Sequence, residues 1–165
     1  AVSVLTNSLE ATDVAAVHAG YSKRRAPLLR AGVRLFELRR LIALPRTRQR
    51  RQRVQSSASL HTKTFAIDHE RVFIGSFNFD PRSARLNTEM GLMIESAALA
   101  RACSDGFGND APANSYSVRL DVAGDLRWRV HEDDGEHEHR VEPGASWWRR
   151  AWVRLLSWLP VEHLL

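Results

Sequence analysis

The chain has 165 residues, 44% of them hydrophobic and 26% charged, which fits one domain with a buried core and excludes wholesale disorder. Its single cysteine, Cys103, excludes an internal disulfide framework and a cysteine-rich zinc site, and no run of about 18 uncharged apolar residues marks a transmembrane helix. Lys and Arg outnumber Asp and Glu by 24 to 19, a net charge of +5 that suits acidic partners such as phosphodiesters or anionic lipid headgroups.

Ala1–Leu9 reads as a strand around the apolar run Val2–Leu5. No basic segment precedes it, so it does not read as a signal peptide, and the chain reads as beginning inside a domain. A helical segment follows to about Ala31, with Asp13 or Thr12 placed to cap it and Pro27 placed to kink or split it. Gly32 is a C-terminal stop, and Val33–Leu38 alternates as a strand should, which completes a β-α-β start. Arg39–Arg53 is arginine-rich, including Arg46, Arg48, Arg50, Arg51 and Arg53, and reads either as a solvated loop or as a phosphate-attracting patch. Against so many arginines, only Lys23 and Lys63 are lysines. Lys63 therefore hints at a position that needs a compact ammonium.

Three strand-like pieces come next, Ser59–Ile67, Arg71–Gly75 and Glu89–Ile94, the first two joined by a tight Asp68-His69-Glu70 turn. Ser96–Phe107 reads as a helix, Asp105–Asn114 as a polar loop, and Tyr116–Val122 with Leu126–His131 as a hairpin around Ala123-Gly124-Asp125. The acidic stretch His131–His139 carries His131, His137 and His139, but it lacks apolar anchoring and a recognised ligand spacing. It reads as a solvated loop, and no metal site is assigned. In Ser146–Leu165, a helical wheel gathers Arg149, Arg150 and Arg154 on one arc. Trp147, Trp148, Ala151, Trp152, Leu155, Leu156, Trp158 and Leu159 cover most of the remainder. Such a helix reaches about 20 Å, short of the roughly 30 Å hydrocarbon core. It suits a membrane interface, with tryptophans at headgroup depth and arginines toward anionic phosphates, or else packs on the protein's own core.

The chemistry-bearing stretch runs from His61 through Lys63 and Asp68 to Gly75, Ser76 and Asn78, in the form H-x-K-x4-D-x6-G-S-x-N. Two residues apart on a strand, His61 and Lys63 project to the same face. An imidazole beside an ammonium suits a phosphate: one attacks or moves a proton, the other neutralises oxygens. The Gly75-Ser76 turn brings Asn78 back as a neutral donor, and Glu89 is a carboxylate able to bond one imidazole nitrogen and fix its tautomer. None of this needs a metal.

This pattern resembles the HKD motif of the phospholipase D superfamily. The resemblance extends to Val4–Leu9, Ala11–Val14, Val17–Tyr21, Asp80–Ser83, Leu86–Gly91 and the Trp-rich tail, which are similar to the C-terminal half of bacterial cardiolipin synthases of the C type. It implies an α/β fold, a mixed β-sheet flanked by helices. Residues 1–122 would form the catalytic half, 123–145 a hairpin and acidic loop, and 146–165 an interfacial amphipathic segment. It implies a peripheral enzyme of the bacterial cytoplasmic membrane that transfers phosphatidyl groups between phospholipids through a phosphohistidine, without a cofactor. His61 would be one of two catalytic histidines, Lys63, Ser76 and Asn78 the phosphate ligands, Glu89 the residue orienting His61, and Asp68 a motif residue bonded within its own half. Only one H-x-K motif is present, so the partners implied are a missing N-terminal HKD half or a second copy of the chain, besides phospholipids and an anionic membrane surface. The competing readings are a homodimeric HKD phosphodiesterase or nuclease, and an inactive half-domain that only binds anionic lipid or nucleic acid. The Trp-rich tail disfavours nucleic acid.

Overall fold

The structure is a computed structural model that describes residues 1–12, 14–40, 61, 63–132 and 134–158. Asp13, the arginine run from Arg46 to Arg53, and Leu159–Leu165 lie outside the described residues. In chain order the elements are β1 (Ser3–Asn7), α1 (Ala15–Ser22), α2 (Arg25–Arg30), β2 (Arg34–Leu38), β3 (Lys63–Ile67), β4 (Arg71–Gly75) and α3 (Pro81–Arg85). They continue with β5 (Gly91–Glu95), α4 (Ala97–Asn114), β6 (Ser115–Leu120), β7 (Leu126–Glu132), β8 (Gly135–His139) and α5 (Trp147–Trp158). A five-stranded mixed sheet has the order β1-β2-β6-β7-β8, and a separate antiparallel sheet has the order β3-β4-β5.

The β-α-β start is present, with β1 and β2 parallel. The helical segment breaks at Lys23–Arg24 rather than at Pro27. Pro27 instead falls in the first turn of α2, where a missing N–H removes no intrahelical bond. Thr12 does not cap α1, whose N-cap is Val14 with no side-chain bond. Alternation on β2, β6 and β7 sends Leu35, Val118, Trp128 and Val130 to one face, where Leu28 and Leu29 of α2 cover them. Each exposed-to-buried apolar side chain of this size contributes about 1.5–3 kcal/mol, so this layer is the principal core.

Two stretches are more ordered than their polar composition suggests. α4 continues through Asp105–Asn114, where a loop was expected. Ala100 and Ala111 are both buried on one side of α4, which packs against both sheets, so tertiary burial overrides the poor propensities of Gly106, Gly108 and Pro112. The acidic stretch after His131 forms β8 rather than a loop. Its register sets Glu138 opposite Arg129 and Glu136 opposite His131. Arg129 Nε donates to Glu138 Oε2 at 2.7 Å, so cross-strand charge pairing replaces the apolar anchoring the strand lacks.

α5 corrects the expected arrangement of its arginines. Val153, at 3% exposure, sits in the middle of the Arg149–Arg150–Arg154 arc and packs on Leu9 and Ala19. Arg149 Nη2 donates to the Thr12 carbonyl, and Arg150 Nη1 donates to the carbonyls of Glu142 at 3.1 Å and Ala145 at 2.7 Å. Two of the three guanidinium groups therefore clamp the helix to the body, and Arg154 alone is exposed. The tryptophans face away from the core.

Candidate active site

The site is built on the first residue of β3. His61, exposed, lies two residues before Lys63, which opens the strand. Lys63 Nζ lies 3.0 Å from His61 Nε2 and 3.2 Å from the His61 carbonyl oxygen. An ammonium has no lone pair, so Lys63 is the donor and Nε2 the acceptor. The lone pair of this ring nitrogen therefore faces the ammonium, and becomes available to attack phosphorus or take a proton only once another acceptor takes over Lys63.

The neighbouring strands bring a second group to the same end. Gly75 lies opposite Lys63 on one side and Gly91 on the other. A Cβ at either glycine would run into the Phe73 ring, and at Gly75 it would also come 2.5 Å from the Met90 carbonyl, so both positions need glycine. Ser76 then donates its N–H to Met90 O at 2.8 Å and its hydroxyl to Glu89 Oε2 at 2.5 Å, while its oxygen accepts from Met90 N at 3.1 Å. Asn87 Nδ2 donates to the other oxygen of Glu89 at 3.3 Å, and Arg82 Nε orients Asn87 through Oδ1 at 3.1 Å. The Ser76 bond, followed by the Ser83 hydroxyl, outweighs desolvation, and with Asn87 and the positive charge of Lys63 holds the Glu89 carboxyl below its ordinary range. Glu89 therefore presents a full negative charge near the ammonium.

His61, Lys63, Ser76 and Glu89 are thus gathered by the ends of β3, β4 and β5. Asn78 is exposed between Phe77 and Phe79, whose rings meet edge-on at 5.4 Å. Among the described residues, no hydrogen bond links Asn78 to His61 or Lys63, and none links Glu89 to His61. The carboxylate is held by Ser76 instead of holding the imidazole. Asp68 stands at the far end of β3, about 16 Å of strand away, in a turn where it and His69 adopt φ of 51° and 58°. Glu70 N closes that turn on Ile67 O at 3.0 Å, so Asp68 shapes the hairpin rather than the phosphate end. The sequence reading missed the supports of Glu89. Ser83 sits in the first turn of α3, which Pro81 opens and where Asp80 Oδ1 accepts from Ser83 N at 2.7 Å.

One further group has metal-ligand chemistry. Oxygen and nitrogen atoms of Glu132, Asp134 and His137 lie within 4.8 Å of one another at the β7–β8 turn. Glu132 is already paired with Arg39 at 2.6 Å, and Asp134, 2.9 Å from His137, raises the pKa of that imidazole, which favours the protonated ring. These partners make it an ion-paired turn.

The family described as "Cardiolipin synthase, PLD-like domain" matches residues 1–111. Cardiolipin synthase C of Escherichia coli (strain K12) is 48% identical over 165 residues, 99% of this chain and 35% of that protein. An uncharacterized protein of Helicobacter pylori is 36% identical over 100 residues, 61% of this chain and 19% of its own length. A cardiolipin synthase of Staphylococcus aureus is 28% identical over 106 residues, 64% of this chain and 18% of its own length. The matched part of the chain therefore spans between 18% and 35% of the length of these relatives. No solved structure matches it.

Proposed function

The chain belongs to the PLD-like domain family of cardiolipin synthases, and from that premise we propose that it is one HKD half of a phosphatidyltransferase that joins phospholipids at a phosphodiester. The observation that carries this reading is the contact of Lys63 Nζ with Nε2 of His61 at 3.0 Å, which a substrate phosphate would replace by bonding the ammonium.

Two displacements account for the reaction. In the first, an imidazole nitrogen forms a bond to phosphorus, the bond from phosphorus to the leaving alcohol oxygen breaks, and a second histidine gives that oxygen its proton. In the second, the now neutral second imidazole takes the proton of an acceptor hydroxyl. The hydroxyl oxygen bonds phosphorus and the N–P bond breaks. His61 serves as one of the two histidines. Lys63 neutralises the phosphate oxygens that gain charge in both steps, with Asn78 as a neutral donor, while the hydroxyl and N–H of Ser76 are held by Glu89 and Met90, so that Ser76 serves the site by fixing Glu89. Glu89 fixes Ser76 and supplies the counter-charge that keeps the Lys63 ammonium at this end of the sheet. The second histidine comes from an N-terminal HKD half or from a second copy of the chain. The substrates reside in a bilayer, so the protein works peripherally at the bacterial cytoplasmic membrane. No helix among the described residues is long and apolar enough to cross it.

The test is phosphatidyl transfer by the full-length protein in phospholipid vesicles. His61→Ala abolishes turnover, and Lys63→Arg lowers it severely, because the planar guanidinium displaces the donors. An acid-labile, base-stable lipid adduct on the protein marks the phosphohistidine. Near-normal transfer by either variant refutes the assignment.

A further inference from the structure

α5 has two apolar faces, and only one is used by the fold. Val153 and Leu156 face Leu9, Ala15 and Ala19, while Arg149 and Arg150 are tied to backbone carbonyls on either side of that contact. On the opposite side, Trp147 is 60% exposed, Trp148 68%, Trp152 55%, Leu155 54% and Trp158 81%. With Ala151 they fill an arc of about 140° at 100° per residue. Trp147 and Trp148 stack at 3.8 Å, which makes the N-terminal end of the arc a flat aromatic ledge. Four of the five tryptophans in the chain stand on this one arc, whereas Trp128 is buried in the core.

We infer that this exposed tryptophan face of α5 is the surface by which the protein docks on a phospholipid bilayer, lying in the headgroup–acyl boundary parallel to the membrane. The inference rests on the lipid-substrate reading for its occupant, but its residues are separate from the catalytic ones. Three observations favour a bilayer. Indole combines an apolar body with a polar N–H, which suits the interfacial layer more than the acyl interior. The helix has 12 residues, about 18 Å, so it can lie in the interface but cannot span. The net charge of +5, with exposed Arg154 at the edge of the arc, complements anionic headgroups. The family model matches residues 1–111, so α5 lies outside the matched stretch.

The inward-turned arginines set the character of the attachment. Only Arg154 of α5 remains free to meet lipid phosphates, so docking depends on inserted indole rather than on a basic stripe. Raising salt from about 0.1 to about 0.5 M then weakens binding only severalfold, as expected for one basic residue near the surface.

The experiment measures partitioning of the full-length protein into phosphatidylglycerol–phosphatidylethanolamine vesicles, with a parallel set brominated near the glycerol end of the acyl chains. The native protein shows tryptophan quenching by the brominated lipid. The variant W147S/W148S/W152S removes only exposed side chains, keeps the native unfolding midpoint, loses that quenching and partitions about tenfold or more weakly. Its hydrolysis of a short-chain soluble diester stays at the native level. Unchanged partitioning, or no quenching of bound native protein, overturns the inference. So does a loss of dimer mass with partitioning unchanged, which would mean that a second copy covers the face. His61→Ala separates the two readings: it abolishes catalysis and leaves partitioning intact. An active His61→Ala variant that still docks through the tryptophans would sink the catalytic reading alone.

Discussion

Glu37→Gln is the most informative test of how this fold is held. Glu37 has 0% exposure and lies on the core face of β2 beside Leu35. Oε1 accepts from Arg25 Nε at 2.7 Å and from Tyr21 Oη at 3.0 Å, and Oε2 accepts from Trp128 Nε1 at 3.0 Å. Arg25, at 3% exposure, also donates to Glu142, whose Oε1 lies 2.7 Å from Nε2 of buried His18. One network therefore ties α1, α2, β2, β7 and the segment leading into α5. All three partners of Glu37 are donors, and glutamine offers one acceptor oxygen where glutamate offers two. The substitution leaves Trp128 Nε1 facing an amide N–H and deprives a buried guanidinium of one of its two counter-charges. Breaking a buried pair by removing one partner costs about 3–5 kcal/mol, and the retained shape and oxygen place this variant near the lower end, at about 3 kcal/mol. With a urea slope of about 1–3 kcal/mol/M, the unfolding midpoint falls by roughly 1–3 M at unchanged slope. Glu138→Gln is the matched control, since its pair with Arg129 at 2.7 Å lies on side chains 42% and 40% accessible. It costs less than about 1 kcal/mol. Equal midpoint shifts for the two variants would refute the reading of Glu37 as the centre of a buried network.

Three other outcomes follow from the same geometry. Burial acts to raise the pKa of Glu142, but its bond with His18 and the charge of Arg25 outweigh it and hold the folded value below the ordinary 4.5. Its stabilisation is therefore full above about pH 4.5 and lost as pH falls through the folded value, so the deficit of Glu142→Gln in urea melts, clear at pH 7, closes on acidification. Burial, with Glu10 nearby, pushes Tyr116 up to about 12, and burial with Glu37 raises Tyr21 further. These are the only tyrosines, so ultraviolet titration of the folded chain shows no phenolate step near pH 10, and stability declines as pH rises from about 10 toward 12. Gly75→Ala, with its Cβ 2.5 Å from Met90 O, destabilises by about 1–3 kcal/mol in thermal melts and lowers transfer activity by opening the Ser76–Glu89 contact. Gly108→Ala meets nothing within 4 Å in α4 and stabilises by about 0.5–1 kcal/mol, which shows that the effect at Gly75 is steric.

How far each part was legible follows the range of the interactions that make it. The β3–β4 hairpin and the β6–β7 hairpin announce themselves through strand periodicity and turn residues that are neighbours in sequence. The extension of α4 is invisible locally, because the alanine contacts that stabilise it reach strands from both sheets. β8 carries no apolar alternation, since its register depends on charges of β7 across the ladder. The wheel of α5 had room for two faces, and only the positions of Leu9 and Ala19 decide that Val153, inside the arginine arc, is the buried one.

The same distinction separates the chemistry of the site from its support. His61 and Lys63 are two residues apart at the start of β3, so sequence proximity alone brings their functional atoms to 3.0 Å. Ser76 and Glu89 are 13 residues apart and meet at 2.5 Å because α3 returns the chain to β5 beside β4. This explains why the imidazole and ammonium could be named from spacing while the partner of Glu89 could not. Under the proposed function, it also bears on what the site needs. In-line displacement puts the leaving oxygen on the far side of phosphorus from the attacking nitrogen. A proton donor for that oxygen therefore cannot share the end of β3 with His61. On the proposed reading, the second histidine must approach across the exposed face that His61 and Lys63 present, and the apolar rim there is consistent with burial against it: Phe79, Met90 and Leu92 are 82%, 80% and 67% exposed around Ser76 and Glu89. Substituting Met90 by glutamate should then weaken assembly with the other half, lowering transfer while leaving the unfolding midpoint of this half within about 0.5 kcal/mol of native. Native transfer by that variant would place the second histidine's support elsewhere.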